Sequence, residues 1–461
     1  MIVPSAVGFV VGLALLAAAQ PAAAQAQGQG AGGPRRVQVL GLQLGANVSS
    51  ADLADQPAFP GASALPNMNS RFHTDVQAAM RYQPVPGERV NYSVNIQSAV
   101  RRYQTSDEFM VLGHTAGGNA GLRVGRRMSL AGFGSASYLP SYGLNMNPTG
   151  DPFALATGAA ASGQLSANAA AAGQLPASAV DYSLAERVSV HMGGGGSMQY
   201  NLARRLDFQA SFQQSRQAFR KEEDPDLRST SVAGRLTYRL SRYLGLKVGF
   251  QRRYADYATR DGVDTTVLDD IDAGLESGYG RQISLTRSTT LSFDTGSTLT
   301  HRNGRHGGQL TGRAYLAQRV GRRGEASLGV TRGTELREGF DEPVFSNNVT
   351  AEVRFTFLRD LTVSVSGAGA VGQALGEGDE VAADHVRSYQ TSARVSKTFL
   401  SRGQAYAQYL VSGHDVGAAV GIVDGVPRRS ASRSLRAGVM WSIALVTARP
   451  SNVPAPPQGG N

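Results

Sequence analysis

From residue 36 to residue 446 one pattern recurs: apolar side chains at every second position, polar ones between them, and almost no sustained 3.6-residue period. Leu206, Phe208, Ala210 and Phe212 oppose Asp207, Gln209, Ser211 and Gln213; Val232, Gly234, Leu236, Tyr238 and Leu240 oppose Ala233, Arg235, Thr237 and Arg239. The same alternation runs through 90–97, 244–251, 349–357, 361–366 and 435–445. Successive side chains of a strand point to opposite faces, so each unit is a strand of roughly ten residues with one apolar and one wet face.

The connections alternate in length. Short ones fall at Pro86-Gly87, Gly125-Arg126-Arg127, Ala203-Arg204-Arg205, Ser241-Arg242, Gly321-Arg322-Arg323, Arg359-Asp360 and Ser401-Arg402. Longer polar segments lie near 50–70, 143–181, 219–228, 256–266, 336–346, 374–386 and 417–431. One end of the sheet therefore has tight turns and the other has loops, as in transmembrane barrels with short periplasmic turns and long external loops. Strand starts fall near 36, 71, 88, 109, 127, 187, 204, 228, 242, 268, 285, 306, 323, 347, 360, 386, 402 and 432, or about two fewer if 109–124 and 268–283 are not strands. The expectation is an all-β, antiparallel transmembrane barrel of about 16–18 strands, wide enough for an aqueous interior, with both termini on the periplasmic side. A soluble β-sandwich also alternates, but no linker divides 180–446 into domains of ordinary size, and a solenoid would show a fixed short repeat that is absent.

Composition agrees. Charged residues are 17%, below the roughly 25% of soluble domains. Residues 7–19, VGFVVGLALLAAA, are too short for a transmembrane helix and have signal-peptide length. The small residues after them suit cleavage behind Ala24 or Ala26, so 1–26 reads as a signal peptide, although MIVPS lacks the basic n-region. There is no cysteine, which excludes a disulfide scaffold, a thiolate metal site, a cysteine nucleophile and a lipid-anchored N-terminal cysteine. The net charge of +10 is carried almost wholly by arginine, dispersed along the chain; only Lys221, Lys247 and Lys397 are lysines. Dispersal of that kind is not a nucleic-acid footprint.

The polar face supplies the candidates for function. Arg123, Arg235, Arg239, Lys247, Arg354, Arg394 and Arg436 are expected to face the lumen, with Asp207, Glu276, Glu352 and Asp294 beside them. An open lumen so lined is net basic and favours anions; the alternative is that the charges pair across the wall and brace it. Gly193–Gly196 lie in an alternating strand with no Lys-Ser/Thr and no helix after them, so they read as barrel wall rather than a phosphate loop. Glu222–Asp226 and Asp269–Asp272 lack the spacing of a calcium loop and read as solvated external loops that touch cation-bridged lipopolysaccharide. His73, His114 and His191 fall on separate strands and define no metal spacing. No cofactor, metal site or enzyme activity is expected. Residues 145–180 form a long Ala/Gly/Ser-rich external loop.

The last strand carries Arg436-x-Gly438-x-x-Trp441-x-Ile443, which resembles the terminal-strand signal read by the outer-membrane assembly machinery. A Pro-rich tail, 447–461, follows and reads as a disordered periplasmic extension. As a whole, 36–446 resembles outer-membrane β-barrel proteins of porin-like type found with exopolysaccharide and cell-envelope systems. The likeness lies in hairpins such as SRYLGLKVGF, ARRLDFQASF and GRRMSLAGFG, where an Arg-bearing turn opens an alternating strand. The resemblance implies an envelope channel for passive or export transport of hydrophilic solutes, polysaccharide among them. Its implied partners are outer-membrane lipid, lipopolysaccharide, the assembly machinery and polysaccharide export components. The competing reading is a non-conducting structural or surface-interaction barrel.

Overall fold

The computed structural model describes residues 37–52, 70–84, 89–103, 109–139, 189–219, 226–259, 262–277, 283–302, 305–335, 344–358, 360–374, 385–399, 402–417 and 428–448. All regular structure among them is strand. In order these are β1 (Val37–Asp52), β2 (Ser70–Tyr82), β3 (Val90–Tyr103), β4 (Phe109–Val124), β5 (Met128–Leu139), β6 (Ser189–Ala203), β7 (Leu206–Phe219), β8 (Asp226–Arg239), β9 (Leu244–Thr259) and β10 (Gly262–Ser277). They continue as β11 (Ile283–Ser284), β12 (Thr289–Arg302), β13 (Arg305–Val320), β14 (Gly324–Glu335), β15 (Val344–Thr356), β16 (Leu361–Ala374), β17 (His385–Phe399), β18 (Gly403–Val416) and β19 (Arg429–Ala448).

Each strand pairs antiparallel with its sequence neighbours, and β1 pairs with β19 from Val37↔Ala448 to Asp52↔Arg433, which closes the sheet. The two-residue β11 continues the β10 side of the wall against β12, so β10 and β11 make one interrupted stave and the barrel has eighteen. Both segments with the weakest alternation are part of the wall, 109–124 as β4 and the described residues of 268–283 in β10 and β11. The connection expected at 256–266 is much shorter than it reads, because β9 continues to Thr259 and β10 begins at Gly262. Strand ends that project into water have no apolar face to maintain, so alternation fades before the ladder does.

The two faces are inverted relative to a soluble sheet. Most large exposed apolar residues share one parity: Val90, Tyr92, Val94 and Ile96 on β3, Leu246, Val248 and Phe250 on β9, Val349 and Val353 on β15. The opposite parity carries the buried polar set, including Ser93 and Gln97 on β3, Asp207, Gln209 and Ser211 on β7, and Ser231, Arg235 and Thr237 on β8. Outward aromatics gather near the tight turns: Tyr82 and Tyr92 lie 5.9 Å apart, Phe355 and Phe357 6.2 Å, Phe399 and Trp441 5.3 Å. They form a girdle of the kind that marks a membrane interface. Gly125 and Gly321, at φ of 66° and 65°, take the left-handed conformation that closes the tight Gly-Arg-Arg turns.

The register shifts at Gln38–Gly41 against β19, at Asn201–Ala203 against β7 and, most widely, within β10. Between Ile271↔Ser297 and Glu276↔Asp294, four residues of β10, Asp272–Leu275, face two of β12, Thr295 and Gly296. Side-chain hydroxyls repair it: Thr295 Oγ1 accepts from Leu275 N at 3.0 Å, Ser277 Oγ accepts from Phe293 N at 2.6 Å, and Ser297 Oγ donates to Ile271 O at 3.1 Å. A wall in hydrocarbon has no water to satisfy a broken ladder, so its own side chains do so.

The signal-peptide reading (1–26), the loop 145–180 and all but the first two residues of the tail 447–461 lie outside the described residues. A neighbouring pair of positions tests the two faces. Val349→Arg puts a charge on the outward face near mid-strand and is expected to cost about 2–4 kcal/mol of folding stability in lipid vesicles. Thr350→Arg, facing inward, is expected to be near neutral by the same urea titration; equal costs would contradict the assignment of faces.

Candidate functional site

The polar face of this fold is its interior, and its most organised described part spans β7 to β13. Register places Arg239, Gly245, Glu276, Asp294 and Arg313 side by side across β8, β9, β10, β12 and β13, all facing inward. The adjacent row brings Asp207, Thr237, Lys247 and Gly274 together. Two carboxylates, Glu276 and Asp294, are thus directly opposed, an arrangement that repels unless cations intervene. They do: Lys247 Nζ reaches over β10 to Asp294, Arg313 meets the same carboxylate at 3.3 Å, and Arg235 reaches over β9 to Glu276 at 3.5 Å. Arg239 joins Asp207 at 2.9 Å and extends the belt to β7.

Glycine makes this belt possible. Lys247 lies opposite Gly274, Arg235 opposite Gly249, and Arg239 opposite Gly245. A Cβ on Gly249 would stand 3.0 Å from Gly234 O and 3.3 Å from Arg235 Cβ, and one on Gly245 would stand 3.0 Å from Thr237 Cγ2. Bare backbone beneath a long cation lets its stem lie flat against the wall. Lys247 is consequently 2% exposed, and Arg235 6%, although both belong to the polar face.

A second cluster joins the closing seam. Arg394 stacks on the Tyr406 ring at 4.3 Å, and the Tyr406 hydroxyl lies over Gly438, where a Cβ would stand only 2.9 Å from it. Arg436 approaches Asp75 at 4.0 Å across β1, both buried. Glu352 pairs with Arg354 at 2.8 Å along β15. Arg123 lies exposed at the end of β4, in register with Ser129.

All ten sequence-selected positions (Arg123, Asp207, Arg235, Arg239, Lys247, Glu276, Glu352, Arg354, Arg394 and Arg436) therefore sit on the inward parity. Eight of them are in ion pairs: Asp207, Arg235, Arg239, Lys247, Glu276, Glu352, Arg354 and Arg436. Sequence reading missed Arg313, Asp75, Tyr406 and the Arg253–Asp270 pair at 2.7 Å. Parity alone would have found Arg313; the others needed the partner strand to be known. Within the terminal motif, Arg436 and Gly438 face inward, while Trp441 packs edge-on against Phe399 and Ile443 is buried in the seam with Leu42.

Asp269–Asp272 is not an external loop. It lies within β10, with Asp269 held by Arg252 at 2.6 Å on the outer face and Asp270 by Arg253 inside. The acids are masked as a strand because their neutralising arginines belong to β9. Of the acidic run 222–226, Asp226 opens β8 and pairs with Arg216 at 3.2 Å, while 222–225 lie outside the described residues. Gly193–Gly196 are in β6, where Phe133 of β5 lies inward over Gly195. His114 faces outward beside Tyr138 and His191 inward. Among the described residues no group of three or more His, Asp or Glu is placed to hold a metal ion.

A closed antiparallel barrel with an apolar exterior, an aromatic girdle and a charged interior is a transmembrane barrel, and the bacterial outer membrane is where such barrels reside. No protein-family model and no curated protein matches the sequence. Among solved structures, the chain is similar to OpdL of Pseudomonas aeruginosa at 11% identity and a TM-score of 0.40, covering 88% of this chain and 98% of that one. It is similar to OccK2 (OpdF) of Pseudomonas aeruginosa, solved with glucuronate, at 13% and 0.40, covering 89% and 100%. The siderophore receptor PirA of Acinetobacter baumannii overlaps at 8% and 0.41, covering 87% and 80%. Overlaps this loose transfer neither solute nor residue roles.

The belt makes an ordered set of stability predictions. Asp294→Ala removes the carboxylate on which Lys247 and Arg313 converge and is expected to cost about 3–5 kcal/mol. Lys247→Met leaves Asp294 with Arg313 and costs clearly less. Equilibrium unfolding in vesicles gives the order, and equal losses would count against a shared carboxylate.

Proposed function

We propose that the chain is a porin-like channel that carries hydrophilic solutes, passively or in export, across the outer membrane. The observation that supports this most is hydration of inward positions: Arg123, Arg313, Tyr315, Glu325, Thr350 and Arg354 point inward and are nevertheless exposed. Eighteen staves enclose a space wider than side chains fill, so such positions meet water. Charge sets a bias on what passes. In the belt four cations, Arg235, Arg239, Lys247 and Arg313, meet three carboxylates, Asp207, Glu276 and Asp294. The resulting anion preference is modest, because pairing removes most of the field that unpaired arginines would create.

The interior also changes along its length. Near the tight turns it is polar and open, whereas near the long loops inward positions become apolar and buried at Leu268, Val344, Val386, Leu410 and Val416. There Arg253 of β9 donates to Thr334 O of β14 at 2.8 Å, reaching past β10, β12 and β13. This narrow zone sets the conductance. The finer reading, that the solute is a polysaccharide or its fragments, is supported by the sequence resemblance. It is also supported by hydroxyl and amide pairs on the inner wall such as Ser93–Asn119 and Ser366–Ser392, both at 2.8 Å, which suit sugar hydroxyls. In the same reading, polysaccharide export components meet the periplasmic end, the assembly machinery engages Arg436, Gly438, Trp441 and Ile443, and lipopolysaccharide meets the outer face around Arg252 and Tyr254.

Purified protein in a planar bilayer is expected to give discrete conductance steps with weak anion preference. Arg253→Ala should raise the unit conductance, and deletion of 145–180 should leave the channel conducting. A silent barrel under all of these conditions would overturn the proposal in favour of a non-conducting surface barrel.

A further inference from the structure

The tight-turn end carries a charge that the interior does not explain. Arg126 and Arg127, Arg204 and Arg205, and Arg322 and Arg323 occupy three of its turns and are all exposed. Arg89, Arg242, Arg287 and Arg402 occupy four more. The described residues of these turns and of the eighth, between β15 and β16, include one acid, Asp360. Inside the barrel five of the seven selected cations are met by a carboxylate, but none of the six doublet arginines is in an ion pair with another described residue.

Position points to a ligand. Tyr200 and Phe208 flank the 204–205 turn, Tyr238 precedes Arg242, and Arg323 Nη1 donates to Phe357 O at 2.6 Å within the aromatic girdle. Aromatics of a girdle sit at the level of lipid headgroups. A guanidinium a few residues beyond them, at about 3.3 Å per residue along a tilted strand, lies at the depth of headgroup phosphates. Guanidinium binds phosphate bidentately and strongly. The arginines are also spread around the circumference, one turn after another, instead of clustering on one side. A soluble acidic partner would engage one patch, whereas a leaflet surrounds the barrel and meets every turn.

We propose that the turn arginines form a collar that binds the phosphates of anionic phospholipid in the periplasmic leaflet, fixing the depth of the barrel. The collar's place in that leaflet rests on the outer-membrane orientation given above, but phosphate binding does not require an open pore. The test is native mass spectrometry of the detergent-purified barrel titrated with phosphatidylglycerol or phosphatidylcholine. The wild type is expected to retain several phosphatidylglycerol molecules and to lose them with added salt, while phosphatidylcholine is not retained. Each doublet variant (R126Q/R127Q, R204Q/R205Q, R322Q/R323Q) should weaken phosphatidylglycerol binding by roughly fivefold per arginine, and the corresponding Arg→Lys doublets should restore much of it. Heat-dependent gel mobility confirms that each variant is folded. Equal retention of the two lipids, or binding unchanged in all three folded variants, overturns the proposal. So does preferential capture of a soluble polyanion such as polygalacturonate in place of phosphatidylglycerol. Loss of conductance without loss of lipid binding would count against the channel alone.

Discussion

Every other feature of this protein depends on the backbone hydrogen-bond ladder and its closure between β1 and β19. In hydrocarbon an unpaired peptide group costs several kcal/mol, so a sheet can cross only if it has no free edge. The fifteen-step register from Val37↔Ala448 to Asp52↔Arg433 removes that edge over the whole height of the wall. The widest register shift among the described residues, opposite Thr295 and Gly296, is repaired by hydroxyls of Thr295, Ser277 and Ser297.

Closure then decides where each side chain goes. With the outer face committed to lipid along its apolar band, polar and charged residues at that height have only the interior, where a lone charge against the wall is costly and a paired one is tolerable. The belt from Asp207 to Arg313 meets this condition by placing glycine opposite Arg235, Arg239 and Lys247, so that Arg235 and Lys247 can cross a neighbouring strand to reach their carboxylates. Abundant glycine thus serves the packing of charges as well as the curvature of the wall.

Much of this was legible in the chain. A period of two survives any rearrangement of strand partners, so strand starts near 204, 242, 323 and 402 lie within two residues of β7, β9, β14 and β18. The inward parity of Lys247, Arg354 and Arg436 was legible for the same reason. Asp269–Asp272 was misread because polar strand ends beyond the apolar band look like loops, and their arginines stand seventeen residues away on β9.

Alternation, turn spacing and the arginine-bearing turns determined by themselves that this is an antiparallel sheet with one apolar and one polar face, because those are local properties of single strands and their turns. Which charges meet was decided only by the tertiary structure. Asp294 and Lys247 are separated by 47 residues, and Asp75 and Arg436 lie at opposite ends of the chain. Their pairing follows from register, from the bulge in β10 and from the closing of the barrel, none of which a single strand encodes.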